Sequence, residues 1–355
     1  MRKIFSLFAF VLLPSIVWAG WQISGKVTGA DGKPPILAHV HLINFQGNYR
    51  EPFQTTRVSK DGQFKLAVSD QGLYRLFVTA VNHNYCSIPL IVDNETADVN
   101  VDVQLAPLEY LDHFDKVQIM GDWNKFGFNN ADNMQKQADG TFTYETEVKA
   151  DTICYQLIGL TKAKRSVNGT QADYYVYDGG GDYRSVLKVK PGTVKIVFNP
   201  EKLLSIKEKK LPRVKFGKQN LRLQKLWDID GEVDKERNVF QKAVAVYRQT
   251  HKDMKDFIYD WSNLATYLKN KMDNEYNITI RQFAAIQLGE LMMFRAPIDS
   301  TTKIKILDLL PPNSIIWAIS PRLPMLFRQD EEQYLKFMKA LAEENGSSRA
   351  SDSTN

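Results

Sequence analysis

Apolar and polar residues alternate with a period of two through the first third of the chain, a spacing that predicts strands rather than helices. The alternation is clearest at Ala38, Val40 and Leu42 and again at Phe64, Leu66 and Val68. The predicted order is an opening strand, a GADGKP turn, strand AHVHLINF, a loop, strand TTRVS, a KDG turn, strand QFKLAV, a DQG turn and strand LYRLFVTAV. Each turn carries an Asp-Gly, Gln-Gly or Gly-Lys-Pro element, which supplies the positive or fixed φ that a strand reversal needs. Short strands separated by turns at this density predict a sandwich. A second alternating stretch runs over 116–200 and is punctuated by GDWNKF, ADGTF and VNG turns. From Glu232 the period lengthens to that of a helix. Val233, Val239, Phe240, Ala243, Val244, Val246 and Tyr247 mark one helix; Phe257, Trp261, Leu264, Ala265 and Leu268 a second; Phe283, Ile286, Leu288, Leu291 and Met292 a third. A shorter helix stops at the LLPPNS break, where two prolines cannot continue it, and 314–327 and 330–344 complete the helical part. The expected fold is therefore multidomain: two antiparallel β-sandwiches of immunoglobulin-like kind, followed by an all-α helical domain.

The expected boundaries are a signal peptide at 1–19, a first sandwich at 20–107, a second at 108–200, a basic linker at 201–227, a helical domain at 228–345 and a polar, disordered tail at 346–355. Arg2 and Lys3 precede an apolar run broken at Pro14, and Val17-Trp18-Ala19 offers small-residue cleavage positions, the pattern of secretion. The run is short for a membrane span, so the expectation is an exported protein, periplasmic or extracellular, with no integral span once the leader is removed. Cleavage also removes two of the positive charges behind the formal net charge of +5. The mature chain is then only mildly basic, which argues against a dedicated nucleic-acid binder. The positive excess in KEKKLPRVKFGKQNLRLQK reads as a solvated linker, with a polyanion contact as the sharper alternative. Two cysteines, Cys86 and Cys154, exclude a disulfide-dense scaffold and any CxxC redox motif. A bridge between them would cross modules; two buried free thiols on strands are the blander reading.

The first module resembles the carboxypeptidase regulatory-like domain. Gly25, Val27, Gly32, Pro34, Asp61, Gly62, Phe64, Gly72, Tyr74 and Leu76 match its turn and core positions. That family's module is an accessory, so the resemblance implies architecture and no chemistry. The second module, through KVQIMGDWNKFGF, ADGTF, YQLIG and VNGTQADYYVYDGGGDYRSVLKV, resembles the glycogen-binding module of AMP-activated kinase and the N-terminal sandwich of branching enzymes and isoamylases. The resemblance implies that Trp123 is core, Asn124 shapes the turn and Phe126 faces sugar. Aromatic faces suit sugars because the axial C–H surface of a pyranose is apolar. Three of the family's positions differ here. A lysine becomes Gln156; the second platform tryptophan is replaced by one of Tyr174, Tyr175 or Tyr177; and an asparagine falls at Arg184 or Ser185. The helical stretch DLLPPNSIIWAISPRL is similar to helices preceding the thioredoxin domain of exported thioredoxin-like proteins, which makes an accessory, partner-docking region the alternative function.

The candidate ligand-binding residues are Phe126, Asn124, Gln156, Tyr175 and Arg184. They imply stacking plus hydrogen bonds and no bond chemistry, with a glycan or a protein as partner. GxSxG, HExxH and GxGxxG are absent, and no pair of carboxylates sits in a catalytic frame; the expectation is a binder without catalytic residues or cofactor. Gly179-Gly180-Gly181 lacks the Lys-Ser/Thr ending of a phosphate loop. Tyr174, Tyr175, Tyr177 and Tyr183 around it read as edge-strand packing, or as an aromatic ligand rim. His39 and His41 share a strand face, where they could both ligate a metal. No third ligand is evident, so two outward surface histidines and no metal site are expected. Trp227, Trp261, Trp317, Phe283, Phe294 and Phe327 read as helical core, and NSIIWAISPRLPMLF as core or a docking surface.

Overall fold

The structure, a computed structural model, describes residues 20–44, 52–203, 212–251, 253–254, 256–291, 294 and 296–309. The leader at 1–19, the NSIIWAISPRLPMLF stretch and the tail lie outside the described residues. The fold is β-rich, with four sheets and four α-helices among the described residues.

The first β unit contains β1 (Trp21–Thr28), β2 (Ala38–Asn44), β3 (Gln54–Arg57), β4 (Gln63–Val68), β5 (Gly72–Ala80), β6 (Cys86–Val92) and β7 (Val99–Gln104). Strands β3-β2-β5-β6 form one antiparallel sheet, while β4 and β7 flank β1 in the other. The predicted alternation is realised: Phe64, Leu66 and Val68 are buried between exposed Gln63, Lys65 and Ala67. β1 and β7 run parallel, and their backbones approach so closely that a Cβ on Gly25 would lie 1.8 Å from the Val101 carbonyl oxygen. Strands β6 and β7 follow the last strand expected for this module. CSIPLIV is a continuous apolar run because β6 is covered on both faces.

The second β unit contains β8 (Gln118–Gly121), β9 (Asp132–Asn133), β10 (Gln135–Lys136), β11 (Phe142–Val148), β12 (Thr152–Ile158), β13 (Tyr174–Tyr177), β14 (Tyr183–Lys188) and β15 (Gly192–Phe198). One sheet has the order β13-β14-β12-β8-β9 and the other β10-β11-β15. Val117, Ile119, Phe142, Ile153, Tyr155, Leu157, Leu187, Ile196 and Phe198 form a core separate from the first.

The chain then returns to the first unit. Within the stretch expected as a basic linker, β16 (Arg213–Phe216) pairs antiparallel with β7, placing Val214 opposite Val103 and Phe216 opposite Val101. The second unit is thus inserted between two neighbouring strands of the first. The first long helix begins well before the expected Glu232: α1 (Leu221–Thr250) buries Leu223, Leu226, Ile229, Asp230 and Val233, whereas Val239 and Val246 are exposed. It is followed by α2 (Ser262–Asn274), α3 (Ile278–Leu291) and α4 (Ser300–Leu309). The apolar faces of these helices continue the first unit's core.

Strand β5 shows why. Tyr74, Leu76, Val78 and Ala80 face the core, so Leu73, Arg75, Phe77 and Thr79 face outward, yet all of these but Arg75 are buried. Two different bodies cover that outer face. At one end α1 packs against β6, and Arg75 makes two hydrogen bonds to Asp230, at 3.0 and 2.9 Å. At the other end the second unit covers His39, His41 and Thr79. Tyr183 donates its hydroxyl proton to the Thr79 carbonyl (3.1 Å) and lies 3.1 Å from His39 Nδ1. The Tyr177 ring sits 4.8 Å from His39 and 5.0 Å from His41. The expectation of two outward surface histidines is therefore corrected. They do share a face, but His41 is 0% exposed because the tyrosines of β13 and β14 close over it. Burial pulls both imidazoles down to about 4, helped by Arg57 at His39 and by His39 at His41. Of the two readings of the tyrosine cluster, packing holds for Tyr177 and Tyr183. Both cysteines are free thiols, Cys86 buried and Cys154 half-buried on a different unit. Among the described residues, no three His, Cys, Asp or Glu side chains are grouped to hold a metal, and no helix is long and apolar enough to cross a membrane.

Candidate binding face

The GDWNKF turn leaves β8 through one 3₁₀ turn over 122–124 and then carries two successive left-handed residues, Lys125 at φ 56° and Phe126 at φ 54°. A left-handed conformation costs a non-glycine residue roughly 1–2 kcal/mol, so the loop needs bracing. Asp132 Oδ2 provides it by accepting three hydrogen bonds: from Trp123 Nε1 (2.9 Å), Asn124 Nδ2 (3.1 Å) and the Tyr144 hydroxyl (2.8 Å). Asn124 Oδ1 also accepts the Gly121 amide at 2.9 Å. Trp123 stacks on Tyr144 with centroids 5.3 Å apart. Burial, with Asp132 beside it, pushes the Tyr144 hydroxyl up to about 12, so it stays a proton donor across the physiological range. Asp122 fastens the loop base by accepting the Cys154 amide at 2.7 Å.

The loop delivers Phe126, half-buried, against β14. The Arg184 guanidinium carbon lies 3.9 Å from the centroid of the Phe126 ring. Phe126 and Arg184, distant in sequence, are the two predicted site residues that the structure brings into contact. Asn124 braces the turn and spends its amide on the loop itself. Gln156 is 4% exposed and donates Nε2 to the Tyr183 carbonyl at 2.8 Å, which places it beneath the face as a strut.

Tyr175 lies elsewhere. In the antiparallel pair β13–β14, Val176 opposes Arg184 and Tyr175 opposes Ser185. Opposed residues share a face and neighbours alternate, so Tyr175 points away from Arg184, toward Leu37, Val81 and Tyr183 at the junction of the two units. The same parity puts Tyr174 on the Arg184 face, two residues along β13 from Val176, about 7 Å at strand rise. Tyr174 is 42% exposed. The sequence names Tyr174 among three candidates; the choice among them depends on pairing register, which the turn composition does not state. Ser185, the alternative to Arg184, is fully buried and accepts the Gly169 amide at 2.9 Å.

The face thus combines an arginine lying on a phenyl ring, an exposed tyrosine on the same side of the sheet, and the exposed Lys125 at the loop tip. The groups assembled there are suited to recognition by stacking and charge-assisted hydrogen bonds. The fold and the face define a β-rich protein of at least two units with an aromatic and cationic surface on the inserted one. No family and no curated protein matches the chain. Among solved structures, the TIE protein of Bacillus anthracis is similar over 49% of this chain at 10% identity and a TM-score of 0.19. The match spans 32% of that protein, about a third of its length. The shaft pilin SpaA of Lactobacillus rhamnosus GG, in a point-mutant form, is similar over 55% of this chain and 92% of its own, at 11% identity and a TM-score of 0.21. Similarity of that depth leaves function to be read from the face itself.

Proposed function

We propose that this is an exported, non-enzymatic binding protein that recognises a saccharide through the outer face of its second β unit. In this reading both β units are immunoglobulin-like sandwiches, the first of the carboxypeptidase regulatory-like kind and the second of the glycogen-binding kind. Phe126, Arg184 and Tyr174 make the contact; Asn124 and Gln156 hold the scaffold. The observation that supports it is the braced, doubly left-handed turn at Lys125 and Phe126. Strained backbone kept in place by a dedicated hydrogen-bond hub is expected where a side chain must be presented in one orientation.

Affinity electrophoresis of the full chain through gels containing neutral and acidic polysaccharides tests the reading. Retardation in at least one polysaccharide, abolished by Phe126→Ala with the thermal midpoint unchanged, is expected. Identical mobility in every gel would overturn it.

A further inference from the structure

Arg184 is the least satisfied group on this face. Its Nε is closed off from solvent and has no hydrogen-bond partner, and among the described residues the guanidinium makes no ion pair or hydrogen bond. Asp178, whose charge reaches Arg184, accepts the amides of Gly180 and Asp182 at 2.7 and 3.0 Å. The sealed Nε is out of a ligand's reach, but the two Nη groups are not among the buried unsatisfied atoms, and a guanidinium without a carboxylate partner favours an anion at their edge. Phe126 occupies one flat face of the guanidinium. That contact takes one face of the Phe126 ring and, with Nε sealed, leaves the edge formed by the two Nη groups for an acceptor. A planar edge of paired N–H donors matches a carboxylate, which takes two parallel hydrogen bonds. A sugar hydroxyl offers no such pair and leaves the charge unneutralised. Lys125, exposed at the neighbouring position with no partner among the described residues, adds a second positive charge, and Tyr174 adds an exposed ring on the same side of the sheet.

We infer that the face selects acidic saccharides, with a uronate-type carboxylate paired edge-on to Arg184 and a neighbouring sugar ring laid against Tyr174. The inference rests on the saccharide reading above and sharpens it from glycan to anionic glycan.

The test compares binding of the full chain to polygalacturonate, to the same polymer with its carboxyls reduced to alcohols, and to amylose, by calorimetric titration at low salt. Polygalacturonate is expected to bind, and the reduced polymer to bind about ten- to a hundredfold more weakly, the factor for losing a charge-assisted pair. Arg184→Gln should show a loss of the same size for polygalacturonate alone, Arg184→Lys a smaller one, and added salt should weaken the wild-type interaction. The wild-type comparison needs no variant, so a misfolded Arg184→Gln protein would not spare the inference. Equal binding of the acidic and reduced polymers, or an indifferent Arg184→Gln protein that still melts normally, would overturn it. Binding of amylose as tight as of polygalacturonate and dependent on Phe126 would overturn the acidic preference and leave the saccharide reading intact. Binding of none of the three polymers would overturn the preference, and, with unretarded migration in every gel, the saccharide reading as well.

Discussion

Acid should loosen the junction between the two β units, and His41 sets the size of the effect. Its ring is fully buried, stacked 5.0 Å from Tyr177 and hydrogen-bonded through Nδ1 to the Thr55 hydroxyl at 2.9 Å. Burial, with His39 alongside, lowers its pKa from 6.5 to about 4. Because the folded value lies below the unfolded one, the unfolded chain binds more protons between these two values. Stability from this group is therefore complete above the unfolded value, falls as pH drops toward 4 and levels off below it. At pH 5 the imbalance amounts to about 2 kcal/mol from His41 alone. His39 shifts the same way, from burial and then Arg57, but it is more open to solvent and contributes less. Asp178, whose charge reaches Tyr183, is bonded to its own loop. Denaturant unfolding of wild type and His41→Gln at about pH 7.5 and pH 5 measures the effect. Carboxylates titrate in both proteins, so the wild type should lose about 2 kcal/mol more than the variant over this interval. Equal losses, or an NMR titration of the His41 ring with a midpoint near 6.5, would refute the reasoning.

Other outcomes follow from single contacts. Asp230→Ala removes the carboxylate that holds Arg75, whose side chains are 2% and 16% exposed; unfolding should cost about 3–5 kcal/mol less, with α1 exchanging its amides first by hydrogen exchange. Gly25→Ala drives a Cβ to 1.8 Å from the Val101 carbonyl oxygen, which the paired backbones of β1 and β7 cannot yield to; a loss of about 3 kcal/mol or more in urea stability is expected, and a neutral result would mean the strands are not so closely paired. Tyr183→Phe deletes the hydroxyl that bridges Thr79 and His39 across the two units and should lower stability by about 1–2 kcal/mol by thermal unfolding, leaving ligand binding unchanged because that ring lies off the Arg184 face.

Local patterning made much of the chain readable. Alternation at 38–42 and 63–68 reported which residues enter a core, because a strand with one core face must alternate whatever it packs against. The turn signals at GADGKP, KDG and GDWNKF reported reversals, since those residues set φ on their own. The helical period fell on α3 and on α2, though Phe257 and Trp261 precede α2, and the proline break marked the end of α4; the period misplaced the working face of α1. Val239 and Val246 share a helical stripe yet are exposed, whereas the docked face lies a few turns earlier, against β6. A basic stretch read as a linker holds β16, whose polar residues are tolerated because it is a short edge strand.

The candidate face was legible only in part. Phe126 and Asn124 could be placed from a turn motif, and Arg184 from its neighbourhood, but their contact could not. Whether Tyr174 or Tyr175 joins them is a matter of register, and a one-residue difference reverses the face. What the sequence by itself determined was the strands and turns with a clear period or turn signal, such as β2 and β4, and the residues those strands hide. Only the tertiary structure decided what covers the outer face of β5, why the two histidines of the neighbouring β2 are held neutral, and that Arg184 lies on Phe126 with no carboxylate partner among the described residues. Local interactions specify elements within a few residues; burial, pKa and unmet hydrogen bonds depend on segments more than a hundred residues apart, such as His39 and Tyr183, that meet only after the chain has folded back on itself.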